Sequence, residues 1–350
     1  MNIKTIASMA GVSVATVSKI INNYTDISEE TRQRVLKIME ETGYRPSSSA
    51  KTLATKKSNL VGVIFAGKLN VDFGHPFFVD IINVFKKQIG LLGYDLLFFS
   101  NEKFLDTGED YLARSKYFSV DGCIIIAGDE VEKSVFDLDA SPIPCIGVDI
   151  ELTGVNSCYI MSDNQKISTK VVEHFYMNGY RDIGFIGIER PSLVIKEREE
   201  AFITSLKRFS LEVRPEWFVY GKDYAAEDGY QIAKAWIEQG NLPKAVFAAT
   251  DLLAFGAMRA FKESGLQVPE DVAVVGCDDI EACRYTDPPL TTVKQDTQKI
   301  GRLAAMVLFD LMKKQMETKC IKIEPELVIR SSCGARQNWN HMLIKGQHTP

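Results

Sequence analysis

Side chains able to hold a small polar molecule recur in this sequence just after apolar runs of strand length. His75-Pro76-Phe77-Phe78 follow the run 60–65, Asp149 follows 144–148, and Arg198 sits early in a helical stretch after 183–188. Tyr224 follows 217–220, Thr250-Asp251 follow 244–249, and Asp278 follows 272–276. Aromatic faces stack on the apolar side of a ring while a guanidinium and carboxylates bond its hydroxyls, so the set suits a sugar-like ligand. Taken singly each has a plainer role: Phe77 and Phe78 could be core, and Arg198 could pair with Glu197 or Glu200. Neighbouring Asp278 and Asp279 point apart after a strand, so one is expected on the ligand and the other on the backbone. Catalytic sets are missing: His75, His174, His341 and His348 show no metal-ligand spacing, and no P-loop or G-x-G-x-x-G occurs. We therefore expect no enzyme, no cofactor and no metal.

The first sixty residues carry a different chemistry. Ile3, Ile6, Ala7 and Ala10 recur at helical spacing, and Gly11 then supplies a turn free of steric limits on φ. Ser13 can cap a second helix that hides Val17, Ile20 and Ile21 and presents Val14, Ala15, Ser18, Lys19 and Asn22. Two short helices around such a turn, the second with a small, polar and basic outer face, make a helix-turn-helix. Ser28 caps a third helix, Glu29 and Glu30 suit the positive end of its dipole, and Gly43 ends it. Residues 46–59 read as a linker, or as a short helix with Ala50, Leu53 and Ala54 on one face that forms only against a partner.

From Ala10-Gly11-Val12-Ser13-Val14-Ala15-Thr16-Val17-Ser18-Lys19, Ile27-Ser28-Glu29-Glu30-Thr31-Arg32 and Gly43-Tyr44-Arg45-Pro46, the chain resembles the LacI/GalR family of bacterial transcription regulators. Thr250-Asp251-Leu252-Leu253-Ala254-Phe255-Gly256, Val275-Gly276-Cys277-Asp278-Asp279 and Pro289-Leu290-Thr291-Thr292-Val293 extend the resemblance over residues 3–332. It implies an α/β fold with an all-α helix-turn-helix head, a hinge helix, and a two-lobed periplasmic-binding-protein-like core of open parallel sheets. It implies a homodimeric repressor on a pseudo-palindromic operator in double-stranded DNA, switched by a small effector. Val14 and Ala15 would read the groove, Lys19 a guanine edge or phosphate, and Ser13, Thr16, Ser28 and Thr31 would sit on phosphates, beside Ser18 and Asn22. In the hinge, Ala50 and Lys51 would contact DNA and Leu53 would wedge a base step. The family's effector contacts fall on Phe77, Asp149, Ser192, Arg198, Tyr224, Thr250 and Asp278. Ala201 and Cys277 depart from the family pattern, and residues 66–74 lengthen a loop.

The 350 residues fit several domains, with 45% hydrophobic and 25% charged residues. The net charge of −5 divides into +4 over residues 1–59 and −9 beyond, a basic head on an acidic body. Seven scattered cysteines suggest neither a zinc site nor a disulfide framework. With no signal-like start and no long apolar run, a cytoplasmic protein without membrane contact is expected. Beyond residue 60, strand and helix alternate, as expected for two parallel open sheets. The boundaries expected are 1–45 for the head, 46–59 for the hinge, 60–335 for the two-lobed body and 336–350 for a polar tail without heptads. The N-lobe should take about 60–161 and 291–319 and the C-lobe about 162–290 and 320–332, with crossings near Met161, Leu290 and Lys319. A purine, a nucleoside or a phosphoprotein co-repressor is the alternative effector within the family. A transporter's solute-binding protein is the rival of another class, disfavoured by the DNA head.

Overall fold

Runs such as Gly122-Cys123-Ile124-Ile125-Ile126-Ala127 and Ile183-Gly184-Phe185-Ile186-Gly187-Ile188 carry no polar side chain, and in the structure every residue in them is buried. Strands buried on both faces need helices above and below, which dictates an α/β layering. A computed structural model of the chain describes residues 1–22, 24–45, 57–67, 74–100, 110–128, 130–189, 192–315 and 320–334. The head holds α1 (Ile3–Ala10), α2 (Val14–Ile21) and α3 (Glu29–Glu41). Its own core is built from Ile6, Ala7, Ala10, Val17, Ile20 and Val35. Gly11 closes α1 at φ 65°, and the Ser13 hydroxyl accepts from Thr16 N at 3.0 Å.

The first lobe contains β1 (Leu60–Ala66), α4 (Pro76–Leu91), β2 (Asp95–Phe98), α5 (Tyr111–Tyr117), β3 (Gly122–Ala127), α6 (Lys133–Asp139), β4 (Cys145–Val148) and β5 (Ser157–Ser162). The second contains α7 (Asn164–Met177), β6 (Ile183–Ile188), α8 (Leu193–Arg208), β7 (Phe218–Gly221), α9 (Ala226–Glu238), β8 (Ala245–Ala248), α10 (Asp251–Glu263) and β9 (Ala273–Asp278). β10 (Thr291–Lys294), α11 (Thr297–Met312), β11 (Cys320–Ile323) and β12 (Glu326–Val328) complete the body. Two six-stranded sheets result, ordered β11-β5-β4-β3-β1-β2 and β12-β10-β9-β8-β6-β7. Among the described residues only the β10–β12 pair is antiparallel.

The lobe boundaries correct the sequence reading. β10 pairs with β9, so residues 291–294 belong to the second lobe and the chain crosses after Lys294 rather than near Leu290. β11 pairs with β5, so residues 320–323 belong to the first lobe and the last crossing follows Ile323 rather than Lys319. Residues 320–328, a continuous strand-like stretch in the sequence, form two strands in two sheets. Pro325 lies between them, and without an N–H it cannot continue a ladder. Helix α6 was not expected at all. The hinge residues Ala50, Lys51 and Leu53 and the tail 336–350 lie outside the described residues.

Helices α9 and α10 touch backbone to backbone. A Cβ on Gly256 would lie 1.7 Å from the Ala226 carbonyl oxygen, and one on Gly229 would lie 2.0 Å from that of Leu253. Neither neighbour can yield, because both oxygens belong to helical main chain. Gly256→Ala should therefore force the helices apart and cost about 3 kcal/mol, the upper end of ordinary overpacking. The urea midpoint of the full chain checks this; an unchanged midpoint would contradict the close approach.

Candidate functional site

In an open parallel sheet the ligand crevice lies outside the carboxyl ends of the strands, where strand order reverses. Here the reversals fall between β1 and β3 and between β6 and β8. One cavity of about 360 Å³ gathers residues that follow β1, β3, β4, β6, β7, β8, β9 and β10. All seven expected effector residues line it: Phe77, Asp149, Ser192, Arg198, Tyr224, Thr250 and Asp278.

Arg198 is 2% exposed and turns inward, which removes the surface pairing with Glu197 or Glu200. Its Nε donates to Asn164 Oδ1 at 2.8 Å and its Nη1 to the Ala249 carbonyl at 2.9 Å. Two bonds orient the guanidinium and leave the rest of its donor fork for the cavity. Asp149 is buried at φ 57°, and burial lifts its carboxyl to about 6 although the Arg198 cation opposes the shift. Asp278, at φ 127°, accepts from Gln295 Nε2 at 2.7 Å. Burial, then the negative charge of Asp251, raise its carboxyl well above the usual range. Such backbone strain in non-glycine residues is tolerated where the surroundings fix it, as at binding sites. Asp279 points away from the cavity and pairs with the Arg330 side chain, Nη2 to Oδ1 at 2.5 Å, rather than with the backbone that was expected for it. Asp251 also serves the scaffold, accepting from Thr292 Oγ1 and Ile280 N.

Thr250 caps α10 by accepting from Leu253 N, and the Ser192 hydroxyl lies 3.2 Å from Tyr224 Oη. The sequence reading placed His75 beside the cavity without giving it a role, and it missed Gln295. His75 is buried against Phe78 and edge-on to Tyr224, with ring centroids 5.3 and 6.0 Å apart. Burial, then the Arg198 cation, hold its imidazole at about 4, so it is neutral at physiological pH. The signal for His75 was a polar side chain just before the Pro76 helix start; for Gln295 it was a polar residue just past an apolar strand. Asp149 Oδ1, Gln295 Oε1 and His75 Nδ1 are buried without a hydrogen-bond partner among the described residues. An orphaned buried polar group costs about 1–3 kcal/mol, so three of them around one cavity mark where a polar ligand would bond.

On the head, Val14, Ala15 and Lys19 are exposed on the outer face of α2. Ser13 and Thr16 share a hydroxyl contact at 2.9 Å, as do Ser28 and Thr31. Two expected contacts are otherwise engaged. Lys19 Nζ pairs with Asp26, and the Asn22 amide donates to the Ser18 carbonyl at 2.9 Å. In the sequence Asp26 counts only toward the head's net charge; an acid seven residues beyond Lys19 carries no helical-spacing signal.

A family model for bacterial regulatory proteins, lacI family, matches residues 2–47, and one for a periplasmic-binding-protein-like domain matches residues 172–333. The HTH-type transcriptional repressor PurR of Pasteurella multocida (strain Pm70) is 31% identical over 337 residues, covering 95% of this chain and 99% of its own. A crystal structure of the Lac repressor dimer bound to operator and the anti-inducer ONPF superposes with a TM-score of 0.81 at 28% identity, covering 95% of this chain and 98% of that one. The transcriptional regulator CelR–cellobiose complex gives 0.69 at 25% identity, over 95% and 99%.

The Asp149 carboxyl yields a pH test. Its ordinary value is 3.8 and its folded value about 6, so between these the folded chain keeps a proton that the unfolded chain has released. Stability therefore falls as pH rises through this window, by at most about 3 kcal/mol at roughly 1.4 kcal/mol per unit. Asp149→Asn keeps a neutral side chain that tolerates a left-handed backbone. It should stabilise the ligand-free protein at pH 7.5 and give no gain at pH 4, read as urea midpoints at both values. Equal effects at the two pH values would refute the buried-charge account.

Proposed function

The chain belongs to the lacI family of bacterial regulatory proteins and is a DNA-binding transcriptional repressor, and from that premise we propose that a small sugar or sugar derivative between its lobes controls its hold on a pseudo-palindromic operator. The observation that carries the effector reading is the buried Arg198 facing Asp149 Oδ1, Gln295 Oε1 and His75 Nδ1, which have no partner. Phe77, Phe78 and Tyr224 supply aromatic faces, so a ring with several hydroxyl donors meets both its demands there. The relatives named PurR favour a second reading, a purine, which the same aromatic walls accommodate.

Val14 and Ala15 enter the major groove, while Ser13, Thr16, Ser28 and Thr31 hold phosphates. Lys19 joins them by exchanging Asp26 for DNA, a trade that exposed ion pairs allow cheaply. Leu53 wedges the central base step in the minor groove. Two heads about 34–36 Å apart match two half-sites, which requires a homodimer. Tyr117, Phe118 and Phe98, exposed beside the β2 edge, are apolar surface that a second copy would cover. Among the described residues no helix is long and apolar enough to cross a membrane. Its role on DNA in a bacterial regulatory family supports a place of work in the cytoplasm.

Genomic fragments captured by the purified chain, followed by thermal-shift screening with sugars and purines, test the whole reading. A sugar that both raises Tm and changes operator affinity is the expected result; a purine doing so alone would transfer the effector to the second reading. Arg198→Ala should bind operator normally yet lose the response to that compound, and an intact response would remove Arg198 from the switch. Leu53→Ala should weaken specific operator binding at least tenfold in gel shifts while leaving nonspecific DNA binding within about twofold. Equal losses on both DNAs would count against the wedge.

A further inference from the structure

Among the described residues every pairing in the first sheet is parallel, so its strands all start at one end, opposite the cavity. The chain enters the body at that end, where Ser58 N and Asn59 N donate to the Asp121 carboxylate at 3.2 and 2.9 Å. Helix α11 stops at the same place, at Met312, and is followed by Lys313 and Lys314. An open groove of about 1030 Å³ lies between these segments, with Lys57, Asp121, Met312 and Lys314 among its walls. Lys313 stands beside it, its Nζ 5.0 Å from the centre of the Phe309 ring. A hydrogen bond with Lys57, then that cation's repulsion, hold the Lys313 amine below its usual value, although Asp121 opposes the shift.

Cations just past a helix C-terminus complement its dipole, which accounts for Lys313 and Lys314. It does not account for Lys57, which comes from the hinge side and sets a third ammonium against like charge. Among the described lining residues Asp121 is the only carboxylate, and it already accepts from two amides. Like charges gathered at a surface repel, and an anion lying across them turns that repulsion into attraction. Residues beyond 59 sum to −9, so DNA repels the body unless the end turned toward the duplex is locally basic. Resting on the reading of residues 46–59 as a hinge on the operator, we propose that the body itself touches DNA: Lys57, Lys313 and Lys314 form a patch that grips backbone phosphates beside the hinge. The occupant is the duplex that the head already holds, since the patch is continuous with the chain that leads to it. Phosphate contacts carry no sequence information, so the patch adds affinity and fixes the tilt of the body without choosing the operator.

The test follows the DNA affinity of the full chain against salt, on a captured genomic fragment and on a random duplex of equal length. Each phosphate contact contributes about 0.9 to the slope of log affinity on log salt. Lys313→Gln/Lys314→Gln should therefore flatten the slope by about 1 to 2 and weaken binding to both DNAs by the same factor, at least about threefold at low salt. Arginine at both positions should restore the slope. Lys299→Gln makes the same charge change at the other end of α11 and should leave the slope within about 0.3 of the parent value. An unchanged slope in the double variant, its urea midpoint matching the parent's, overturns the patch, and so does a loss confined to the operator fragment. Inorganic phosphate that raises the Tm of the parent but not of the double variant, with the DNA slope unaltered, overturns it too and assigns the lysines to a free anion. Leu53→Ala, which tests the hinge, removes no charge, so that reading and this one fail separately.

Discussion

A guanidinium buried between two lobes is the constraint to which the rest of the body is fitted. An unpaired buried charge is very costly, so Arg198 must be answered by opposite charge and by hydrogen bonds. Asp149 from the first lobe and Asp278 from the second act on it electrostatically, and Asn164 and the Ala249 carbonyl take two of its donors. Burial lifts both aspartates, so the cavity avoids carrying two full negative charges beside one positive charge. The cluster is thus balanced but incompletely bonded, as its orphaned acceptors show. A ligand that supplies donors would complete it, and binding would be strongest where water is excluded.

The same groups reach the segments that join the lobes. Asn164, which holds Arg198 Nε, donates its amide to the Ser162 carbonyl on the first crossing, at 3.0 Å. Asp278 is held by Gln295, which sits on the second crossing just past β10. Asp163 N donates to the Ile323 carbonyl at 2.8 Å, tying the first crossing to the third. Ligand atoms that bonded Arg198, Asp278 or Gln295 would therefore act on the segments that join the lobes. A ligand shifts an equilibrium between lobe arrangements only by its differential affinity for them.

Sequence periodicity gave away those parts whose physics is local. Gly11 needs a left-handed backbone and Ser13 and Ser28 need free N–H groups ahead of them, so the head could be read residue by residue. Uninterrupted apolar runs announced the buried strands, and polar residues just past them announced the pocket. What stayed hidden depends on partners far along the chain. Thr291–Lys294 looks equally suited to either sheet, and only pairing with β9 decides it. α6 is seven residues long, too short for its stripe to stand out. Lys19 reads as a free cation until the chain brings Asp26 back beside it. His75 and Gln295 lack the charge that draws attention to an arginine or aspartate, yet they carry two of the cavity's orphaned atoms.

One strand links the ligand to the DNA-binding end. At the start of β3, Asp121 accepts from Ser58 N at 3.2 Å and Asn59 N at 2.9 Å, so its carboxylate clamps the point where the hinge enters the body. Its own N–H donates to the Leu60 carbonyl at 2.8 Å, closing the clamp from both sides. At the far end of β3, Ala127 and Gly128 line the cavity. The strand between is fully buried and paired on both edges, with β1 and β4, so it transmits displacement as a stiff rod roughly 20 Å long rather than absorbing it. A movement at the cavity end of such a strand would reach the residues where the hinge meets the body. Segments short enough to need a partner for helix formation are sensitive to such a change, because nucleation leaves them little stability of their own.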